Sequence, residues 1–388
     1  MIVLALNSGS SSLKFGLYGM RDSSMGVLFS GEAESIGQSN AKMSARNSKG
    51  KVVLSTVMEI PSQQIAIVNI GKAVNDAKMP LPTAVGHRVV HGGPELRQHC
   101  LIDDNVVRKL EDAAPFAPLH IPSALSAIRF ARLHFPKCQQ VACFDTTFHA
   151  EMPDVASILP IPKELRKEGI CRYGFHGLSC ESIVEQLGSD LPERLIVAHL
   201  GNGASITAIK NGKSIDTSMG LTPTGGVIMG TRSGDLDPGI LVYLMREKGL
   251  GAAALEEIIN HRSGLLGISG ADSDMRRLHE ASSSDNDVRL AIQMFCYSVR
   301  KQVAAMIAVL GGVDMIVFTG GIGENDKEVR ASVCGGLNWA GISLDEPQQR
   351  SDQHEGSNGG CLVRVLPSQE NEQIARHTRS VINESPRL

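Results

Sequence analysis

The sequence predicts an α/β protein. Three observations carry that expectation. Short apolar runs that read as buried strands alternate with longer stretches of helical periodicity. A strand–glycine turn–strand unit opens the chain and returns after half of its length. Glycine is in surplus, 40 of 388 residues or about 10% where ~7% is usual, with no Gly-X-Y period and no Gly/Ser linker to absorb it. Because glycine weakens helix and strand interiors, the surplus belongs to turns and to places where backbone approaches a ligand. At roughly 150 residues per domain, the length predicts two to three domains.

The elements follow in order. Residues 2–6 read as a buried strand, Asn7-Ser-Gly-Ser10 as a turn and residues 11–18 as the returning strand. Residues 195–200, Gly201-Asn-Gly203 and residues 204–210 repeat the pattern, and Asn211-Gly212 is a hairpin turn into residues 213–217. Setting Leu200 on Leu6 places Gly203 on Gly9 and Ser205 on Ser11, at an offset of 194, half of 388. Two hairpins whose turns expose backbone N–H groups can grip phosphates from two sides; two unrelated hairpins would leave the same trace. Residues 103–114 and 123–134 have helical spacing, and 141–144 is a strand ending at Asp145. Asp237-Pro238 starts a helix, as N-cap and first turn. Residues 288–310 form a long amphipathic helix stopped by Gly311-Gly312; 315–319 is a strand, and Gly320-Gly-Ile-Gly-Glu-Asn325 turns into a helix from Asp326. The polar, Gly/Ser-rich stretches 20–48 and 351–360 read as surface loops.

Composition excludes several classes. Lys+Arg is 38 and Asp+Glu 41, a net charge of −3, so no basic excess drives sequence-independent nucleic-acid binding. Aromatics are 4%, too few for base-stacking surfaces. The eight cysteines form no Cys-x-x-Cys and no zinc spacing, which reads as reduced thiols in a cytoplasmic protein. Residues 1–6 lack the basic region of a signal peptide, and the longest apolar stretch, 303–313, is too short to span a bilayer. A soluble, cytoplasmic protein without membrane or nucleic-acid partners is expected.

Familiar nucleotide motifs are missing. Gly212-Lys-Ser214 has Thr207 where a P-loop needs its first glycine, and no G-x-G-x-x-G follows a strand. Gly320–Asn325, with three glycines in four residues between strand and helix, instead suits close approach to a flat or anionic ligand; an ordinary tight turn is the competing reading. Arg88 precedes Val-Val-His-Gly-Gly93, and Arg232 sits in Gly230-Thr-Arg-Ser-Gly-Asp235. A guanidinium beside glycines can clamp phosphate or carboxylate through its planar fork, although singly each could be a surface ion-pair residue. Asp145 ends an apolar strand, where open α/β sheets place ligand and metal groups, or helix caps. His176, between Phe175 and Gly177, is a donor candidate.

Seven motifs, in order and across essentially the whole chain, resemble those of the acetate kinase family: Asn7-Ser-Gly-Ser-Ser-Ser-Leu-Lys14, Gly86-His-Arg-Val-Val-His-Gly-Gly93, Phe144-Asp-Thr-Thr-Phe-His149, Arg172-Tyr-Gly-Phe-His-Gly177, His199-Leu-Gly-Asn-Gly203, Met229-Gly-Thr-Arg-Ser-Gly-Asp235 and Phe318-Thr-Gly-Gly-Ile-Gly-Glu-Asn325. The resemblance implies duplicated ribonuclease-H-like (actin-like ATPase) domains facing a central nucleotide cleft, with residues 1–147 and 371–388 in one domain and 148–370, carrying most of the adenosine site, in the other. It implies reversible, Mg²⁺-dependent transfer from ATP to acetate, giving ADP and acetyl phosphate and linking acetate to acetyl-CoA metabolism, in a homodimer, with Mn²⁺ as a substitute metal. Asn7 and Glu370 would lie at the metal, and Lys14 near the ATP phosphates. His199, Leu200, Gly201, Asn202 and Gly203 would form the second phosphate hairpin. Asp274, Met275 and Arg276, with Gly321, Ile322, Gly323, Glu324 and Asn325, would hold the adenosine. Arg88 and Arg232 would grip the carboxylate and the moving phosphoryl, with His176 donating to it and Asp145 as the catalytic acidic residue. Val90, Leu119, Phe175 and Pro223 would wall the substrate methyl.

The chain departs from the family pattern in places. Ser368-Gln-Glu-Asn371 stands for the usual Thr-Asn-Glu-Glu, Ile121 for Asn, Cys180 for His and Thr224-Gly225 for Leu-Glu. Acetate is ionised at neutral pH, so no base is needed to make the nucleophile; Asp145 is read as an organiser of the metal, its waters or Arg232. Val90 favours acetate over propionate, yet one methylene gives only ~1–3 kcal/mol of discrimination, leaving a propionate or short-chain acyl kinase as the alternative. A non-phosphorylating actin-like ATPase, such as a chaperone or filament protein, is the alternative of a different class.

Overall fold

The first strand organises what surrounds it. β1 (Ile2–Ser8) is buried and apolar from Val3 to Leu6, and a strand buried on both faces belongs at the middle of a covered sheet. In the computed structural model, which describes residues 1–9, 12–21, 24–118, 120–342 and 360–384, β1 pairs antiparallel with β2 (Leu13–Arg21) and parallel with β6 (Ala84–Val89). Beyond β2 run β3 (Ser24–Glu34), β4 (Lys42–Asn47) and β5 (Val52–Val57), all antiparallel. Beyond β6 lies the parallel β8 (Gln139–Phe144), edged by β7 (Cys100–Leu101). Leu119 and residues 351–359 of the second expected loop lie outside the described residues.

Alternation along β1 sorts the two faces. Leu4 and Leu6 pack with Ala66, Ile67 and Ile70 of the helix Gln63–Asp76 and with Ala127 and Ala131 of the helix Ile121–His134. Val3 and Ala5 join Ala84, Val141 and Cys143 on the opposite face, beneath Ile374 and Ala375 of the helix Glu370–Glu384. Gly86 makes that approach possible, since a Cβ there would overlap Thr378 and Ile374.

The chain divides into two compact units, residues Met1–Ala150, Gly177–Ser182 and Gln369–Leu388 in one and Glu151–His176 with Ile183–Ser368 in the other. In the second, β9 (Arg194–Leu200) pairs antiparallel with β10 (Ala204–Lys210), which pairs with β11 (Lys213–Thr217); on its other side β9 runs parallel to β12 (Met315–Thr319), and β12 to β13 (Leu362–Val365). The order β3-β2-β1-β6-β8 of the first sheet thus recurs as β11-β10-β9-β12-β13. The half-chain repeat is a repeat of topology, and the fold is the duplicated actin-like ATPase architecture. Asn211 and Gly212 turn the β10–β11 hairpin with φ of 49° and 78°, as an Asn-Gly turn requires.

Two expectations are corrected. Residues 20–48 are not a loop: they hold the end of β2 and the strands β3 and β4. Their polarity reflects a sheet extended outward with partly exposed faces. Gly320–Asn325 is not a turn but itself a short helix, followed by Lys327–Cys334, which Asp326 caps through Val329 N–H. Among the described residues no helix is long and apolar enough to cross a membrane.

Two histidines of the first unit are held neutral. Burial lowers His87 to about 4, against the opposing hydrogen bond to Gln140 Oε1 at 2.7 Å. Burial and then the charge of His377 lower His99 to about 3. An unfolded chain protonates such rings near pH ~6.5. Below that pH the unfolded state binds more protons, so stability falls with falling pH, by about 1.4 kcal/mol per pH unit for each ring, until the folded pKa is reached. Urea midpoints are expected to drop between pH ~6.5 and ~4.5, and His87→Asn is expected to flatten that slope.

Candidate active site

Residue parity puts three polar side chains on one face at one end of the first sheet. Val3 and Ala5 of β1 face the helix Glu370–Glu384, so Asn7 follows them. Ala84 and Gly86 of β6 face the same helix, and Arg88 follows; Val141 and Cys143 lead in the same way to Asp145, just past β8. The register aligns Leu6 with His87 and Arg88 with Cys143, and Asp145 N–H bonds Val89 O at 3.1 Å. These are the carboxyl ends of three parallel neighbours, where open sheets bind ligands.

The side chains meet. Arg88 donates from Nε and Nη2 to Asp145 Oδ2 at 2.9 and 2.6 Å, and from Nη1 to Asn7 Oδ1 at 3.1 Å. Asn7 Nδ2 donates to Glu370 Oε2 at 2.7 Å. Glu370 is the first residue of its helix, where a carboxylate also meets the positive end of the dipole. Burial opposes the charge of Arg88, but the carboxylates of Asp145 and Glu370 outweigh it and raise the guanidinium above its ordinary value. Burial pushes the Asp145 carboxyl upward against the pull of Arg88; the contact with a guanidinium that does not deprotonate keeps it an anion. Asp145 Oδ1 is buried with no hydrogen-bond partner among the described residues. Two carboxylates against one guanidinium, all-oxygen donors and one orphaned oxygen fit a hard divalent cation with its waters. Lys14 stands opposite Asn7 in the β1–β2 ladder, with its side chain on the same face. Val90 shares a small cleft with Arg88, Gly9, His120, Ser123 and Ala124.

The second unit gathers another set. His176 has a left-handed backbone, φ 59° and ψ 26°, at the start of the helix Gly177–Leu187. A non-glycine residue there is strained, and such strain collects at functional positions. Its Nδ1 lies 2.9 Å from Ser205 Oγ, and its ring stacks on His199 with centroids 4.2 Å apart. The hairpin Gly201-Asn202-Gly203 passes beside it: a Cβ on Gly203 would lie 3.2 Å from His176 Nε2 and 3.4 Å from Arg232 Nη1. Arg232 Nη1 also donates to Pro223 O at 2.8 Å. Phe175 and Leu200 are buried in the same unit. Gly320, at φ 78°, brings the glycine-rich helix against this hairpin; a Cβ there would lie 3.2 Å from His199 Nε2.

The expected adenosine residues divide between surface and support. Gly321, Ile322 and Gly323 form the helix itself, and Asn325 Nδ2 closes on Gly321 O at 2.9 Å. The Glu324 carboxylate is engaged with Gly320 N–H at 3.0 Å and Ser368 N–H at 3.1 Å. Met275 is buried, while Arg276 is exposed and donates back to Asp274 at 3.0 and 2.6 Å. His279, one turn on from Met275, bonds Asp326 Oδ2 at 2.8 Å and ties this helix to the glycine-rich one.

A profile of the acetokinase family matches residues 2–376. The chain belongs to the acetokinase family. An acetate kinase from Desulforamulus reducens is 41% identical over 98% of this chain and 100% of its own length. Of solved structures, an acetate kinase from Porphyromonas gingivalis matches with TM-score 0.84 and 38% identity, covering 98% of this chain and 99% of that one. A propionate kinase from Francisella tularensis matches with TM-score 0.89 and 37% identity over the same shares.

Several residues near the site escaped the motif reading. Gln63 holds the first glycine turn, donating from Nε2 to Gly9 O at 3.0 Å and Ser12 O at 3.1 Å. Its only signal is a polar side chain among the buried positions of an apolar helix face. His120, at the start of the helix Ile121–His134, and Ser123 and Ala124 in its first turn reach the Arg88 cleft. His99, Glu181 and His377 offer ligand atoms within 4.8 Å of one another. Yet His99 Nδ1 accepts from Phe144 N–H at 3.0 Å, so its other nitrogen carries the proton and is closed to a metal. The His377–Glu181 contact of 2.6 Å instead braces the helix that presents Glu370.

Gly203→Ala is expected to displace His176 or Arg232 by a few tenths of an ångström and to lower kcat about tenfold with folding intact, since small misplacements of catalytic groups weigh heavily. Steady-state kinetics beside a thermal melt check it.

Proposed function

We propose that this chain catalyses reversible, magnesium-dependent transfer of the terminal phosphoryl group of ATP to acetate, yielding acetyl phosphate and ADP. The observation that carries the reading is the half-buried Arg88 guanidinium, fixed by the buried Asp145 and bordered by Val90: a cation for a small carboxylate, with an apolar wall for its methyl. Family membership and acetate kinases aligned over nearly the whole chain support it.

The chemical difficulty is bringing an anion against a polyanion. Arg88 holds the carboxylate, while Arg232 and His176 donate to the moving phosphoryl, where charge spreads in a loose transition state. Asp145 orients Arg88 and, through its unpartnered oxygen, ordered water; it removes no proton, because acetate has none to give at neutral pH. Asn7 and Glu370 would hold magnesium, or manganese in its place, which supplies charge neutralisation to the phosphates. Lys14 and His199–Gly203 hold the phosphates; Asp274–Arg276 and Gly321–Asn325 hold the adenosine. By the family resemblance, Val90, Leu119, Phe175 and Pro223 would wall the methyl group.

Trapping acyl phosphate as hydroxamate after mixing the protein with Mg-ATP and acetate tests the reaction; ATP hydrolysis without acyl phosphate would sink it in favour of a non-phosphorylating ATPase. Likeness to a propionate kinase gives a second reading of the acid. The ratio of kcat/KM for acetate over propionate is expected above one but below about 200-fold, the reach of one methylene. A clear propionate preference would overturn acetate.

A homodimer completes the reading. The helix Pro238–Lys248 (PGILVYLMREK) has no buried residue, although most of its side chains are apolar; Val242, Tyr243 and Met245 are each about half exposed. A helix apolar around its circumference belongs in an interior, and a second copy of the chain would supply one. Sedimentation is expected to give a dimer for the wild type and a monomer for Tyr243→Glu. The eight cysteines form no disulfide with one another among the described residues, which suits the cytoplasm, a reducing compartment.

A further inference from the structure

We propose that Ser205 is a positioning residue that keeps the proton of His176 on Nε2. This deepens the phosphoryl-transfer reading and rests on it for its catalytic consequence. Ser205 lies on β10, fully buried, directly opposite His199 in the β9–β10 ladder. Residues opposite one another in such a ladder present their side chains to the same side, so Ser205 and His199 address one ring together. His199 stacks on His176 at 23° between planes, and Ser205 Oγ meets its Nδ1 at 2.9 Å.

The direction of that hydrogen bond follows from burial. A serine hydroxyl is both donor and acceptor. Ser205 makes no other side-chain hydrogen bond among the described residues. If Nδ1 carried the proton, the serine oxygen would accept it and the serine O–H would be left buried without an acceptor, which native interiors avoid. The hydroxyl therefore donates to Nδ1, and the neutral ring carries its proton on Nε2. That nitrogen is the one turned toward Gly203, alongside Arg232 Nη1. Two donors thus point into the same turn, and His176 donates there as a neutral ring. The strained backbone of His176 fixes where the ring starts; Ser205 and His199 fix its rotation and its tautomer.

The test uses full-length protein labelled with ¹⁵N-histidine, the His176 signals being assigned by comparison with His176→Gln. The expected spectrum has Nδ1 unprotonated and Nε2 protonated. Ser205→Ala is expected to populate the other tautomer and to lower kcat about tenfold, as loss of a partner behind a functional histidine does. KM for acetate and for ATP should stay within about twofold, because ground-state binding is untouched. Ser205→Thr, which restores the hydroxyl, should recover the wild-type tautomer and most of kcat. A protonated Nδ1 in the wild type overturns the proposal, as does Ser205→Ala with undiminished kcat. A fall in kcat with the tautomer unchanged overturns it too, reducing Ser205 to packing. Absence of acyl phosphate from the wild type would instead defeat the phosphoryl-transfer reading, and the spectra would still decide the placement of the proton.

Discussion

A carboxylate buried away from water demands a cation already in place, and a guanidinium cannot shed its charge. Arg88 and Asp145 are that pair, and much of the first unit serves to bring them together. β6 and β8 must run parallel and in one register for the two side chains to meet. β1 must lie beside β6 for Asn7 to take the remaining guanidinium nitrogen. The helix Glu370–Glu384 must lie close enough to the sheet for Glu370 to reach Asn7, and Gly86 leaves the room. Losing Arg88 would strand the Asp145 carboxylate in an interior where isolated ions are costly. Stability and chemistry share one constraint here.

The second unit shows the same strand order put to a different use. Where the first strand of the first unit carries Asn7 near its end, the equivalent position by the half-chain offset is Gly201. Charged side chains close one sheet; backbone closes the other. Gly201, Gly203 and Gly320 strip the strand ends to their amides and carbonyls, and the polar side chains stand behind them as supports. Glu324 caps its own helix, and the buried Arg330 holds the carbonyls of Gly323 and Glu324 at 2.8 and 3.1 Å. A duplicated scaffold has been specialised into a cation-and-carboxylate end and a backbone end.

How much of this was legible beforehand depends on the scale of the signal. The apolar run of β1, the Asn-Gly hairpin and the helix ending at Gly311 are written in short windows and stand where periodicity and turn chemistry put them. Arg88, Asp145 and His176 were marked by their neighbours, glycines or a strand end. The strands β3 and β4 were not legible, because a partly exposed edge takes polar residues that read as loop. Ser205 and Gln63 act through partners 29 and 54 residues away, and no local window contains both ends of such a bond. That the Glu324 carboxylate faces inward onto backbone is likewise a fact of three dimensions.

The first unit is also discontinuous in the chain: its last helix, Glu370–Glu384, covers β1, β6 and β8 with Ile374 and Ala375. During synthesis residues 1–150 emerge before that cover, and their apolar face stays open until the helix Glu370–Glu384 has been made. The second unit's strands, all within 194–365, emerge before it. That order runs against the usual N-terminal-first completion of domains: the first sheet cannot bury this face before its last helix exists. A chain ending before residue 370 would carry an unfinished sheet, with Val3, Ala5, Ala84 and Val141 left without the cover of Ile374 and Ala375.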